Sequence, residues 1–212
     1  MGVLENVYQS VLEGDLKGIA ARVNEALAAG VEAGEILNKG LTAAMTEVGR
    51  LFEAGEFFVP EMLIAARSMQ GGIAILKPKL QETNVKPLGK VVIGTVKGDL
   101  HDVGKNLVAL MLEGIGFEII DLGVDVAPEK FIAALREHNA HFLGLSALLT
   151  TTMPSMRLVI EALKEAGLRE LVSVIIGGAP VTRDYADEIG ADLYAVDAPS
   201  AARKVKEAVA AA

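Results

Sequence analysis

From Lys90 onward, short apolar runs alternate with helical patterns five times, and no other feature constrains the fold as much. Runs at 90–95, 117–122, 142–146, 172–177 and 193–196 have the length of strands. Helical patterns follow them at about 103–115, 128–138, 154–166, 182–189 and 199–211. Strands separated by helices pair in parallel, since a crossover and not a hairpin joins them. Five such units are the number in a flavodoxin-like α/β sheet, whose order 2-1-3-4-5 reverses between strands 1 and 3. Open sheets of this kind take their ligands outside the carboxyl ends of the strands, at that reversal. The segments leaving strands 1 and 3 are 94–104 and 146–154.

The first of these segments carries unusual chemistry. Gly94 to Asn106 reads Gly-Thr-Val-Lys-Gly-Asp-Leu-His-Asp-Val-Gly-Lys-Asn, so His101, Asp99 and Asp102 sit in a glycine-bounded loop between a strand and a helix. A lone loop histidine is most often an ordinary surface residue, and that reading stays open on this motif alone. A phosphate loop does not fit. Five residues, not four, separate Gly98 from Gly104-Lys105, and Asn106 stands where a Ser or Thr would hold magnesium.

Ahead of the alternating region, residues 3–80 show helical periodicity only. Val3, Leu4, Val7, Val11 and Leu12 share a stripe that Gly14-Asp15 ends, and a second helix runs from about Asp15 to Ala29. A third carries Ile36, Leu37, Leu41, Met45, Val48 and Leu51-Phe52. A fourth starts at Pro60, in the first turn where its missing N–H costs nothing, and ends at Pro78. These make a four-helix bundle over 1–80. The polar stretch 81–89, with Pro87 and no periodicity, reads as a linker, and 90–212 as the α/β domain.

Composition narrows the function. Without cysteine there are no disulfides, thiolate metal sites or cysteine nucleophiles. The net charge of −8 divides as −4 on each side of residue 85, so neither half presents a basic face, and nucleic acid is not an expected partner. The longest uncharged run, Phe142 to Met156, is interrupted by Ser, Thr and Pro and is shorter than the roughly 20 residues of a membrane helix. The charged, helical start has no apolar signal core. The expected location is the cytoplasm, with no membrane partner.

Three further segments belong with the first. Strand 3 leaves through Ser146-Ala-Leu148-Leu-Thr150-Thr-Thr152, a hydroxyl-rich exit in which Thr152 alone would suit a cap before Pro154. Strand 4 leaves through Gly177-Gly178-Ala-Pro, an ordinary turn or a place where backbone approaches a ligand closely. The exit of the last strand, Tyr194 to Ala198, is a candidate wall. Phe52, Phe57 and Phe58 cluster in one interhelical turn, where at least one is expected in the bundle core. His138 and His141 straddle the end of a helix and are expected at the surface rather than on a metal.

Asp99-x-His101-x-x-Gly104, then Ser146-x-Leu148, then Gly177-Gly178, each at the end of its strand, resembles the cobalamin-binding signature of base-off/His-on proteins. With the helical bundle in front, the resemblance covers nearly the whole chain. It extends to the cobalamin module of methionine synthase and, at this size, to free-standing corrinoid proteins of methanol, methylamine, betaine and O-demethylating methyltransferase systems. The resemblance implies cobalamin or a related corrinoid as cofactor, with His101 as lower cobalt ligand in place of dimethylbenzimidazole. Asp99 would hold the other ring nitrogen, Thr152 would complete the relay where methionine synthase has a serine, and Asp102 and Gly104 would lie in the same binding loop. Ser146 and Leu148 would line the groove for the displaced nucleotide tail, with Thr150 as an extra hydrogen-bonding group, and Gly177 and Gly178 would leave room for it. Phe52 and Val59 match an aromatic and a leucine that cap the methyl face, so the cap here would be looser.

The implied function is methyl carriage by a subunit that turns nothing over alone. Cobalt would alternate between Co(I) and methyl–Co(III), taking methyl from a substrate-specific methyltransferase. A second methyltransferase, with tetrahydrofolate or coenzyme M as acceptor, would receive it, and a reductive activase is a further implied partner. A corrinoid-dependent sensor is the rival from another class, but such regulators carry a DNA-binding or signalling segment for which this chain shows neither spare length nor a basic face. A B12-binding isomerase subunit shares the three motifs, but the preceding bundle argues for methyl rather than adenosyl on cobalt. A corrinoid-free binding module would be recognised by its absorption spectrum.

Overall fold

The five apolar runs form the strands of one parallel sheet in the computed structural model, which describes residues 2–82 and 86–211. They are β1 (Lys90–Thr95), β2 (Glu118–Asp121), β3 (Phe142–Ser146), β4 (Ser173–Gly177) and β5 (Leu193–Ala195), in the order β2-β1-β3-β4-β5. Two short compact units make up the chain: residues 1–86 with 114–116, and residues 87–113 with 117–212.

In the second unit the sheet is apolar on both faces, as a parallel sheet covered by helices requires. Val91, Val92, Leu143, Val174 and Ile176 are buried along the strands. The crossover helices are α6 (Val103–Gly114), α7 (Pro128–His138), α8 (Pro154–Glu165), α9 (Arg183–Ile189) and α10 (Ala198–Ala211). On one face Phe131 and Leu135 of α7 and Met156, Val159, Ile160 and Leu163 of α8 pack into the same apolar cluster as Val92, Leu143 and Val174. Fully burying a side chain the size of Phe131 contributes roughly 1.5–3 kcal/mol. Both α7 and α8 begin with proline, whose fixed φ suits a first turn and whose missing N–H would have had no partner there.

Register is what positions the site. Thr95 pairs with Ser146, Ser146 with Gly177, and Gly177 with Ala195, so the carboxyl ends of β1, β3, β4 and β5 stand in one row. The motifs that the sequence spreads over some eighty residues therefore leave the sheet side by side.

The first unit is helical. Its helices are α1 (Val3–Leu12), α2 (Ile19–Ala28), α3 (Ala33–Glu35), α4 (Ala43–Glu53) and α5 (Val59–Glu82), with a π-helical stretch Ile36–Thr42 joining α3 to α4. Spatially these are four rods, because α3, the π stretch and α4 run on as one helix. Val7, Val11, Ile19, Val23, Leu41 and Val48 are buried in it. Ser68, also buried, donates its hydroxyl to the Ser10 carbonyl at 3.0 Å and so ties α5 to α1.

Four details depart from the sequence reading. The second helix starts at Ile19, because residues 15–18 form a separate turn in which Asp15 Oδ1 accepts the Gly18 N–H at 2.8 Å. The third rod contains the π stretch, where the bare Gly40 lies against Val7: an added Cβ would come within 2.9 Å of Val7 Cγ1. The fourth helix passes through Pro78 to Glu82, since a proline removes one hydrogen bond without forbidding helical φ, and an Lys79–Glu82 pair closes the last turn. Of the expected linker 81–89, Gln81 and Glu82 are thus helical, and 83–85 lie outside the described residues. Finally, none of Phe52, Phe57 and Phe58 is fully buried: the first two are half-buried and Phe58 is 64% exposed.

Candidate functional site

The loop leaving β1 turns at Gly98, whose φ of +86° a side chain would resist. The turn lets Asp99 fold inward, where its carboxylate is completely buried between the exits of β1 and β3. A buried carboxylate needs donors, and here they converge from two strand exits. Oδ1 accepts the His101 backbone N–H at 3.1 Å and lies 2.7 Å from His101 Nδ1. Oδ2 accepts the Leu148 N–H at 2.8 Å and the Thr152 hydroxyl at 2.7 Å, with the Leu149 N–H at 3.4 Å.

Burial by itself would raise the pKa of Asp99. The hydrogen bonds from Thr152, His101 and the backbone N–H groups of His101 and Leu148 outweigh it and hold the carboxyl well below the usual carboxylate range. Asp99 is therefore a charged acceptor, and His101 Nδ1 faces it as the N–H donor. That fixes the tautomer and leaves Nε2 with its lone pair. The imidazole is 50% exposed, and no described residue bonds Nε2. Thr95, buried at the end of β1, donates its hydroxyl to the His101 carbonyl at 2.8 Å and holds the backbone behind the ring.

Thr152 is not a helix cap. Its hydroxyl is shared between Asp99 and the Leu149 carbonyl, 2.9 Å away, while the position preceding α8 is Met153, which makes no side-chain cap bond. Asp102 stands just before α6, its Oδ2 accepting from Asn106 Nδ2 at 3.1 Å. Gly104, in the first turn of α6, is bare to open space, with nothing within 4 Å of an added Cβ. Ser146 is half-buried in the register row, while Leu148 and Thr150 are exposed on the turn that follows it.

The paired glycines have a packing role of their own. A Cβ on Gly178, whose φ is +134°, would fall 1.9 Å from the Ala147 carbonyl oxygen, and one on Gly177 would lie 3.0 Å from the Ala195 oxygen. Backbone of the neighbouring strand exits fills both positions. Phe52 and Val59 belong to the helical unit, Phe52 half-buried at the end of α4 and Val59 exposed at the start of α5.

A second buried charge, absent from the sequence reading, supports the loop from behind. Lys105 on α6 is buried and its Nζ donates to Asp121 Oδ2 at 2.5 Å and Asn106 Oδ1 at 2.6 Å, while Asp121 Oδ1 accepts the Gly123 N–H at 2.8 Å. Its signal in the sequence is only a lysine one turn into a helix and an aspartate ending a strand.

Among the described residues, no group of three or more His, Asp or Glu side chains converges to hold a metal ion. A metal at His101 would have one protein ligand, which suits an ion whose equatorial positions a macrocycle already fills. The surroundings suit such a ring. Leu100 and Val103 are 72% and 71% exposed on the His101 loop, and Leu148, Leu149 and Val196 are exposed at the exits of β3 and β5. Exposed large apolar side chains grouped at one end of a sheet mark a binding surface.

Similarity to known proteins carries the same chemistry. A family model described as a B12 binding domain matches residues 89–205, and a second of the same description matches residues 3–77. Dimethylamine corrinoid protein 2 of Methanosarcina acetivorans is 51% identical over 84% of this chain and 82% of its own length. Trimethylamine corrinoid protein 2 of Methanosarcina mazei is 44% identical over 98% and 96%. A solved cobalamin-binding protein from Desulfitobacterium hafniense superposes with a TM-score of 0.81 at 35% identity, covering 96% of this chain and 97% of that one. The methanol:cobalamin methyltransferase complex MtaBC of Methanosarcina barkeri gives 0.87 at 28% identity, over 99% of this chain and 80% of the matched one. A corrinoid is thus the cofactor of this chain, which belongs to the B12-binding corrinoid proteins of methyltransferase systems.

Proposed function

We propose that the chain is the methyl carrier of a cytoplasmic corrinoid-dependent methyltransferase system, with His101 Nε2 as the lower ligand of cobalt. The observation that carries this reading is the imidazole held through Nδ1 by a buried, charged Asp99, with Nε2 turned out at the carboxyl end of the sheet. When bound, the corrinoid supplies the reactive centre, a cobalt that alternates between Co(I) and methyl–Co(III). The rest is the work of the chain's own residues. Asp99 fixes the tautomer of His101 and raises its basicity, and Thr152 and the Leu148 N–H keep Asp99 charged. Leu100 and Val103, exposed on the His101 loop, would pack against the ring. Ser146, Leu148, Thr150 and the Gly177-Gly178 exit border the path of the nucleotide tail, with Asp102 and Gly104 shaping the near side of the binding loop.

The helical region 1–80 serves as a cap in this reading, and 90–212 as the corrinoid domain. Phe52 and Val59 shield the methyl face, so replacing either with alanine speeds photolysis of the methylated protein. A substrate-specific methyltransferase delivers the methyl group, and the relatives named for dimethylamine and trimethylamine favour a methylated amine as its source. A second methyltransferase, using coenzyme M or tetrahydrofolate, accepts it, and a reductive activase restores the carrier when it is oxidised.

Electron-spin resonance of the reconstituted Co(II) protein tests the assignment. The spectrum is expected to show splitting by one axial nitrogen, altered by nitrogen-15 labelling of histidine. A spectrum without that splitting, or one insensitive to the label, removes His101 from the cobalt.

A further inference from the structure

The turn that carries Asp99 is clasped by a residue outside the binding motifs. Asp125, in the connection between β2 and α7, has a φ of +54°, and among the described residues only Asn139 is another non-glycine with positive φ. Asn139 has an evident reason, since it closes the C-terminus of α7 in the left-handed conformation usual for that position. Asp125 ends no helix. What its backbone achieves is to aim two groups at the same neighbour. Its Oδ1 accepts the Gly98 N–H at 2.8 Å, and its own N–H donates to the Asp99 carbonyl at 3.0 Å.

The clasp is firmly mounted. Gly123 accepts from the Thr95 N–H at 2.9 Å, the Val126 N–H donates to the Thr95 carbonyl at 3.0 Å, and Val96 and Val126 form a parallel bridge. Asp125 thus projects from a segment stitched to the end of β1, and it grips the two residues where the chain turns inward. The Gly98–Asp99 pair otherwise has one local backbone bond, from the Asp99 N–H to the Val96 carbonyl at 3.1 Å. A left-handed non-glycine residue costs energy, of order 1 kcal/mol, and persists where surrounding contacts impose it.

We propose that Asp125 is a positioning residue for the cobalt ligand: by clasping Gly98 and Asp99 it sets the direction of the Asp99 carboxylate, and through it the tautomer and aim of the His101 ring. The proposal rests on the reading of His101 as lower ligand. A neutral acceptor of the same shape serves equally, because Asp125 is solvent-exposed and the bond to Gly98 needs a lone pair and not a charge.

Three variants separate the parts. Asp125→Asn keeps an acceptor and tolerates the left-handed backbone. Asp125→Gly keeps the backbone and its N–H but removes the acceptor, and Asp125→Ala loses the acceptor and strains the turn. Nitrogen-15 magnetic resonance of the His101 ring is read first, in the corrinoid-free protein. The native chain and Asp125→Asn are expected to hold one Nδ1–H tautomer, and Asp125→Gly and Asp125→Ala to show a mixture. Loaded with corrinoid and reduced to Co(II), the glycine variant is expected to lose imidazole ligation by about tenfold, the low end for outer partners of a metal ligand. The asparagine variant restores it. Native tautomer and native axial splitting in Asp125→Gly overturn the proposal and leave Asp125 as a turn residue. If the native protein itself lacks an axial nitrogen, the ligand assignment falls instead, and the tautomer ratios alone decide whether Asp125 directs the ring.

Discussion

The two ends of the sheet treat charge in opposite ways. At the carboxyl end, Asp99 is sealed in the protein, but the imidazole it holds leaves one nitrogen open to solvent. At the amino end, Arg169 donates to the Val172 and Gly190 carbonyls at 3.1 and 2.7 Å and to Asp192 Oδ1 at 2.7 Å. Asp192 Oδ2 in turn accepts the Val174 N–H at 2.7 Å. That arrangement is closed: each partner is spent on the frame. Beside it lies a cleft of about 450 Å³, bordered by Leu88, Phe142, Leu171 and Val209. A cleft therefore opens where charges are consumed internally, while at the carboxyl end one lone pair is held rigidly and left over. A site of this kind is recognised by its unspent atom, not by its cavity.

Breaking the unspent atom has the largest effect. If His101 is the lower ligand as proposed, His101→Ala is expected to abolish the axial nitrogen entirely, while the half-exposed position leaves the domain folded, with circular dichroism unchanged. A carrier that keeps axial nitrogen without His101 removes the contrast between the two ends. Next in size is Asp99→Ala. It orphans the Leu148 N–H, at about 1–3 kcal/mol, and takes the charged acceptor from the Thr152 hydroxyl, which keeps only the Leu149 carbonyl, so urea denaturation is expected to show a loss of roughly 3–5 kcal/mol. Arg169→Ala, read in the same experiment, costs less, about 1–2 kcal/mol, because the Arg169–Asp192 pair is partly exposed, and it is expected to leave corrinoid ligation intact. Equal losses in stability and ligation from the two variants erase the distinction.

The reach of the sequence follows from which atoms make each bond. Strand order and the neighbouring exits of β1, β3 and β4 were legible because apolar runs and parallel crossovers leave few topologies. Asp99, His101 and Thr152 were legible because their side chains meet one another, and side-chain chemistry is what a sequence displays. Asp125 and Thr95 were not, since they bind the Gly98 N–H and the carbonyls of Asp99 and His101, groups that every residue carries. Gly178 shows the converse. Its lack of a side chain reads as room for a ligand, and the Ala147 carbonyl, which an added Cβ would strike, gives it a packing reason that the sequence does not display. The π stretch 36–42 was hidden because its apolar positions also satisfy an ordinary helical stripe over so few turns.

Acid sharpens the comparison further. The folded state holds Asp99 below its unfolded value of about 3.9, so its charge stabilises the fold above that pH, and the contribution fades as pH falls from there toward the lower folded value. Between pH 5 and 8 the stability of the corrinoid-free protein is expected to be insensitive to this group. Asp99→Asn removes the dependence in the acid window below about 4. A stability curve whose acid limb is the same in Asp99→Asn as in the native chain assigns that limb to other carboxylates.

The most specific change comes from Thr152. Of the hydrogen bonds that hold Asp99 charged, that from the Thr152 hydroxyl acts most strongly. Thr152→Val keeps the branched shape and removes the donor, leaving burial to push the Asp99 carboxyl upward. The folded pKa then approaches the unfolded one, the stabilising charge is lost at higher pH, and the acid-unfolding midpoint moves up. Stability at neutral pH falls by about 1–3 kcal/mol, the range for a hydrogen bond to a charged group. Thr152→Ser keeps the donor and deletes only a methyl, so its midpoint stays with the native chain and its stability within about 1 kcal/mol. The order native, serine, valine in acid midpoint is the signature of a hydroxyl acting on Asp99. If serine shifts the midpoint and valine does not, the lost methyl is responsible, and Thr152 is a packing residue under the loop and not part of the relay.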